Sequence, residues 1–188
     1  MKTADGVYFR HEDYASFWRR VLIDVIDALV VGAICSVLAI ALLVTFPLNR
    51  TTFQLISATF AVTAFCYLVV LKRSKIGTIG YRIGAVRIVG LNGQTPSLSA
   101  VTLRLLFAPL GPLNWVLDLA WLSGNKHRQS LRDKLAHTYV VKVKAQPVGT
   151  GKIIYRYYEI CGYNFLFREI DVPTATTTPG LPGSAGQS

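Results

Sequence analysis

Acidic residues are scarce in this chain. Of 188 residues only ten are Asp or Glu, and none lies between Asp27 and Asp118. That long stretch carries positive charge alone, so the net +10 is a property of the loops. No aromatic and basic interleaving and no DNA-binding motif accompanies the charge, which argues against a nucleic-acid partner. Cysteine is equally sparse. Cys35 and Cys66 fall inside apolar runs, where they act as small hydrophobes, and Cys161 stands alone near the end, so there is no disulfide framework. The three histidines, His11, His127 and His137, share no ligand spacing with cysteine or each other, and neither a metal nor a cofactor is expected. No nucleophile and base arrangement and no phosphate-loop context is visible, so the chain does not read as an enzyme. The start, MKTADGVYFRHEDY, is polar and is not expected to be a cleaved signal.

Apolar residues make up 52% of the chain and charged residues 16%, the balance of a small integral membrane protein. The first long run is FWRRVLIDVIDALVVGAICSVLAIALLVTFPL, uncharged from 28 to 48. Those 21 residues match a bilayer core at about 1.5 Å per helical residue. At its start, Arg20, Asp24 and Asp27 fall at i, i+4 and i+7, on one helix face within about 60° of arc. Ionisable groups carried toward a bilayer need partners or a wet cavity, so this face is a candidate functional site. A second uncharged run, 52–71, stops at Lys72 and Arg73, and the short link FPLNRTT makes the two a transmembrane hairpin. Gly32, Ala33, Ser36 and Ala39 on the first helix and Ser57, Ala58, Ala61 and Ala64 on the second would let the backbones approach.

Beyond Lys72 the pattern changes. AVRIVGLNGQTPSL surrounds an Asn92-Gly93 turn signal with β-formers, and TYVVKVKAQ is a second strand-like run. Pairing of the two predicts a small sheet at the membrane surface. Between them, LLFAPLGPLNWVLDLAWL (105–122) is broken by Pro109, Gly111 and Pro112 and made polar by Asn114 and Asp118. The basic residues on either side favour a re-entrant or interfacial broken helix over a complete third span. The fold class expected is an α-helical integral membrane protein: a two-span transmembrane hairpin, a third re-entrant or spanning broken helix, and a small cytoplasmic β-rich cap. Its divisions are a polar lead at 1–15 with an interfacial helix near Tyr14 to Trp18, a membrane domain at 16–146, an aromatic-rich extension at 147–172, and a disordered tail at 173–188. The extension reads equally as a strand pair or a membrane-surface segment.

Together these motifs resemble the RDD family of membrane proteins, named for one arginine and two aspartates. RRVLIDVID is similar to its first motif, which places the arginine on Arg20, with Arg19 as the alternative, and the helical aspartate on Asp27; Asp24 is an addition. GTIGYRIGAVRIV resembles the second motif through Thr78, Gly80, Arg82 and Arg87. KHRQSLRDKLAHTYVVK resembles the last through Asp133 and Thr138, with His137 where the family has glycine. The resemblance implies a membrane location and raises transport of small solutes or ions as an activity.

Two roles compete for each site. Arg20, Asp24 and Asp27, with Asp118 as a conditional partner, are candidates for proton or cation exchange or else a structural ion pair. Asp133 has the Ser-x-x-acid spacing from Ser130 that caps a short helix, with an ion pair to Arg82 or Arg87 as the alternative. Two functions follow: a transporter or transporter component for cations, protons or another small solute, or a non-catalytic scaffold subunit of a membrane complex. The partners expected are anionic lipid headgroups and either a second copy or another membrane protein. The location expected is the cytoplasmic (inner) membrane, multi-pass, with both termini cytoplasmic.

Overall fold

The computed structural model describes residues 5–107, 110–123, 129–160 and 163–171. The readings placed on Pro109, His127, Cys161 and the tail at 173–188 lie outside them.

Helix α1 (Phe17–Thr45) has 29 residues, about 43 Å at 1.5 Å per residue. Its buried residues are Arg20, Ile23, Asp27 and Val31, a single stripe at spacings of three and four. After Val31 none of its residues is buried. Helix α2 (Arg50–Phe65) starts at Asn49, whose side chain accepts a hydrogen bond from the Thr52 amide at 2.9 Å, and it runs on into a π-helical turn, Cys66–Leu71. Both helices are long and apolar enough to cross a membrane, and their outer faces are bare: Val44 is 83% exposed and Phe53 68%. Apolar surface of that extent is unstable against water and suits lipid or another protein. The small-residue packing is only partly as expected. Gly32, Ser36 and Ala39 line the groove between the helices, but they face Ile56, Thr59 and Phe60, while Ser57, Ala58 and Ala61 are exposed.

Past α2, a turn at Gly77 (φ 69°) enters the short helix α3 (Ile79–Ile83), with Thr78 as N-cap. Strand β2 (Val86–Gly90) follows and pairs antiparallel with β3 (Thr138–Lys142), from Val86 opposite Lys142 to Gly90 opposite Thr138. The Asn92-Gly93 turn forms, with Gly93 at φ 76°, but it leads into helix α4 (Leu98–Leu105) and not into a neighbouring strand. Helix α5 (Pro112–Ser123) and the one-and-a-half-turn α6 (Leu131–Leu135) complete the segment between the paired strands. At 8 and 12 residues, α4 and α5 measure about 12 and 18 Å, and each falls short of a bilayer core of about 30 Å.

The β2–β3 ribbon is buried on both faces. Val86, Ile88 and Val140 pack with Ile23, Val69, Tyr81 and Val101 of the helices. On the opposite face, Val89, Tyr139 and Val141 pack with Phe9, Tyr14 and Ile170. That second layer corrects the reading of the lead and makes the aromatic-rich extension a strand pair. The lead is not a polar segment ending in a helix at Tyr14: Asp5–Tyr8 form strand β1, Tyr14 bridges to Val141, and the helix begins only at Phe17. Strand β1 pairs with β4 (Gly149–Ile160), and β4 pairs with β5 (Tyr163–Ile170), so the lead and the aromatic-rich extension fold as one sheet over the ribbon. The partner of β1 lies more than 140 residues along the chain, at Gly149 to Lys152, which no local pattern announces.

Candidate functional site

Four basic and four acidic side chains meet where the first turns of α1 contact the cap. Arg20, Lys72, Arg104 and Arg132 balance Asp24, Asp27, Asp118 and Asp133, each of them linked to a partner of opposite charge. Charges removed from water persist only when so paired. The group has three parts.

The first centres on Asp133, which is fully buried. Ser130 caps α6 through a capping box: its hydroxyl accepts from the Asp133 amide at 3.3 Å, and the Asp133 carboxylate accepts from the Ser130 amide at 3.3 Å. The carboxylate also takes Arg20 Nη1 on one oxygen at 2.5 Å and Arg104 Nη1 on the other. Arg104 further donates to the Thr138 hydroxyl at 2.8 Å, and Arg20 Nε donates to the Ala15 carbonyl at 3.2 Å. Burial alone would raise the Asp133 carboxyl, but Arg104, Arg20 and Arg132 outweigh it and hold the group well below the usual carboxylate range. Burial likewise opposes the Arg104 charge, and Asp133 outweighs that, so its pKa lies above the ordinary arginine value. Capping is therefore one part of what Asp133 does. Its ion partners are Arg20 and Arg104, in place of the anticipated Arg82 or Arg87, both of which are exposed. Arg20, and not Arg19, is the residue that reaches it.

The second part is Asp27, 1% exposed. Its Oδ1 accepts from the Gly80 amide at 2.9 Å and the Tyr67 hydroxyl at 3.2 Å; its Oδ2 accepts from the Thr78 hydroxyl at 2.9 Å, and Lys72 Nζ lies 3.4 Å away. Asp27 thus ties α1 to the turn that starts α3. Tyr67 also accepts from the Ile79 amide at 3.0 Å, which closes the loop between α2 and α3. Gly80 is required by space, not by φ: a Cβ there would sit 2.6 Å from both Asp27 Oδ1 and the Ile23 carbonyl oxygen. Gly80→Ala is expected to push α3 off α1 and cost about 1–3 kcal/mol, as overpacking does. Gly84→Ala should cost less, because its nearest neighbours are the outer carbons of the Ile23 side chain. Melting temperatures in mild detergent check the order.

The third part is a bridge. Arg132 Nη2 lies 2.8 Å from Asp24 and 2.9 Å from Asp118, which joins α6 to α1 and α5. Burial opposes the charge on Arg132, but Asp24, Asp118 and Asp133 outweigh it and raise its pKa. Asp118 is 2% exposed, yet among the described residues neither of its oxygens accepts an aligned hydrogen bond. Asp24, whose side chain is 21% exposed, opens onto a cavity of about 310 Å3 lined also by Asp27, Lys72, Arg104, Asn114, Trp115 and Arg132.

Three consecutive residues of α6 therefore serve three directions, as a step of about 100° per residue allows. Arg132 holds the acids of α1 and α5, Asp133 holds the two arginines, and Lys134 turns to the outer sheet. There Lys134 Nζ and the Tyr158 hydroxyl both donate to Glu169 Oε1, with Nζ 3.8 Å from the centre of the Tyr158 ring. Burial pushes the Lys134 ammonium down even with Glu169 beside it. His137, at φ 55°, occupies a left-handed position that suits the glycine of the family pattern, and its ring nitrogen meets the Lys134 carbonyl at 3.0 Å.

Sequence reasoning missed Lys72, Arg104, Arg132 and Tyr67. A signal was present: buried acids on α1 need cations, and every charge between Asp27 and Asp118 is basic. Among the described residues no group of His, Cys, Asp or Glu is arranged to hold a metal ion. No curated protein and no solved structure matches the chain. A family model described as the RDD family matches residues 14–137, a stretch that holds all eight charges of the cluster. The chain belongs to the RDD family, a family of membrane proteins.

Proposed function

We propose that the chain is a component of a transporter for protons, cations or another small solute, with Asp118, Arg132 and Asp24 as its exchange site. The observation that carries this reading is the contrast among the four acids. Asp133 and Asp27 are saturated by donors, whereas Asp118 shares a single guanidinium with Asp24, and Asp24 and Arg132 line the solvent-sized cavity. Protonation of Asp118 leaves Arg132 with Asp24 still to hold it and adds one positive charge to a balanced group, so uptake of a proton favours release of a cation. Of the candidates for exchange, Asp118 and Asp24 then carry that role, and Asp27 acts as a positioning residue.

The same geometry favours assembly. From Ala28 to Thr45, α1 carries no charge, and two helices enclose no path through a bilayer. A route across the membrane needs a second copy or another membrane protein against the bare faces of α1 and α2. If that partner alone carries solute, the chain is its scaffold. Particle size in mild detergent, combined with flux in proteoliposomes of the purified chain, separates the two: an oligomer with flux supports the transporter, and a particle without flux supports the scaffold.

The placement proposed is the cytoplasmic (inner) membrane, with two spans, a re-entrant α4–α5 segment and both termini cytoplasmic. Hydrogen-bonded β2 and β3 share one side of the membrane, so the chain between them enters and leaves on that side. Its basic loops then face the cytoplasm. In a background without native cysteines, reagent applied from outside is expected to label a cysteine at position 50 but not at 92 or 142. Labelling at 142 rejects the re-entrant segment.

A further inference from the structure

Where α2 ends, the chain builds a second cavity, of about 440 Å3, that shares only Lys72 with the charge cluster. Its wall carries Lys72, Arg73, Lys75, Arg82 and Arg87 and, among the described residues, no carboxylate. Lys72 is committed to Asp24 and Asp27, Arg73 Nε donates to the Pro96 carbonyl at 2.8 Å, and Arg87 donates to the Ala145 carbonyl at 3.0 Å. Lys75 and Arg82 are exposed, and among the described residues neither has an acidic partner. Beside these cations stand three large apolar side chains turned outward: Ile76 (68% exposed), Ile79 (44%) and Ile83 (61%). Ile79 and Ile83, one helical turn apart, make the outer face of α3, and its inner face, Gly80 and Tyr81, is buried against the helices. The combination follows directly on a membrane-spanning helix, at the level where headgroups begin. Exposed isoleucines are costly in water and favourable in the boundary between headgroup and acyl chain, where cations meet anionic phosphate.

We propose that this cavity is a binding site for the phosphate headgroup of an anionic phospholipid, with Lys75 and Arg82 as its principal ligands and Ile76, Ile79 and Ile83 seated in the same leaflet. The inference rests on the membrane placement above and not on transport. The site sets the depth of α3, and through Gly80 and Thr78 it bears on Asp27. It also gives Arg82, a motif residue outside the charge cluster, a task of its own.

The test uses the full chain in mild detergent, titrated with short-chain phosphatidylglycerol, short-chain phosphatidylcholine and inorganic phosphate. Phosphatidylglycerol is expected to bind at least tenfold more tightly than phosphatidylcholine. The double variant K75Q/R82Q should lose at least fivefold in affinity for phosphatidylglycerol, and K152Q, which removes an exposed charge on β4, should lose none. The I76S/I83S variant should weaken lipid binding but leave inorganic phosphate unchanged. Equal affinity for the two lipids overturns the site. So does an equal loss in K152Q, which would mean diffuse attraction, or inorganic phosphate binding as tightly as phosphatidylglycerol, which would mean a free-phosphate site. The binding assay needs no flux, so its result stands apart from the transport reading.

Discussion

Asp133→Ala is expected to be the most damaging single change in the protein, at about 3–5 kcal/mol. Arg20 and Arg104 are 4% and 9% exposed, and removal of the acid leaves two buried guanidiniums facing each other across an empty position. The loss of the capping box adds about 1 kcal/mol. Asp133→Asn keeps an acceptor for the Ser130 amide but cannot balance two positive charges, so it should resemble alanine far more than wild type. A capping role alone predicts the reverse, with asparagine near wild type. The carboxyl is held below its ordinary value, so its contribution is complete above about pH 4 and is lost as the pH falls further toward the folded-state value. Acid unfolding in detergent should therefore contain a component that begins below about pH 4 and is absent from Asp133→Ala.

The second large effect is expected at Asp27. Asp27→Ala leaves the Gly80 amide and the Thr78 and Tyr67 hydroxyls without their acceptor, at about 1–3 kcal/mol for each buried group that finds no other. The α3 turn should detach from α1. Asp27→Asn can still accept from Gly80 and Tyr67 with its oxygen, while the Thr78 hydroxyl rotates to accept from its amide, so most of the structure should survive. The amide then faces Lys72, 3.4 Å from the present carboxylate, and that contact is lost. The melting temperature should fall steeply for alanine and modestly for asparagine. Equal and small effects would mean that the turn is held by something other than Asp27.

These two residues show what a linear reading can and cannot reach. The charge-free runs, the Arg20–Asp27 face and the Ser130–Asp133 box are short-range patterns, and each takes the local form expected of it in the structure. The pairing of β2 with β3 was also legible, because both runs are rich in β-formers and lie near the basic loops. What decides the site is long-range. Asp27 is satisfied by a turn 51 to 53 positions later, and Arg20 by an acid 113 positions later. Arg82 and Arg87 carry as strong a motif as Arg20 but face outward. The order of β1, β4 and β5 depends on strands from the two ends of the chain, and in that sheet the apolar face of the lead, Val7 to Phe9, finds cover that local composition does not reveal.

The division of labour within the charge cluster is the central claim: Asp133 and Asp27 hold the architecture, and Asp118 exchanges. The most direct measurement is proton and cation flux at several pH values in proteoliposomes that carry Asp118→Asn, with its melting temperature measured alongside. The expected result is a folded protein, with a melting temperature near that of wild type, in which flux is lost at every pH. Flux that matches wild type across the pH range, in a variant equally stable, would contradict the assignment of the exchange site.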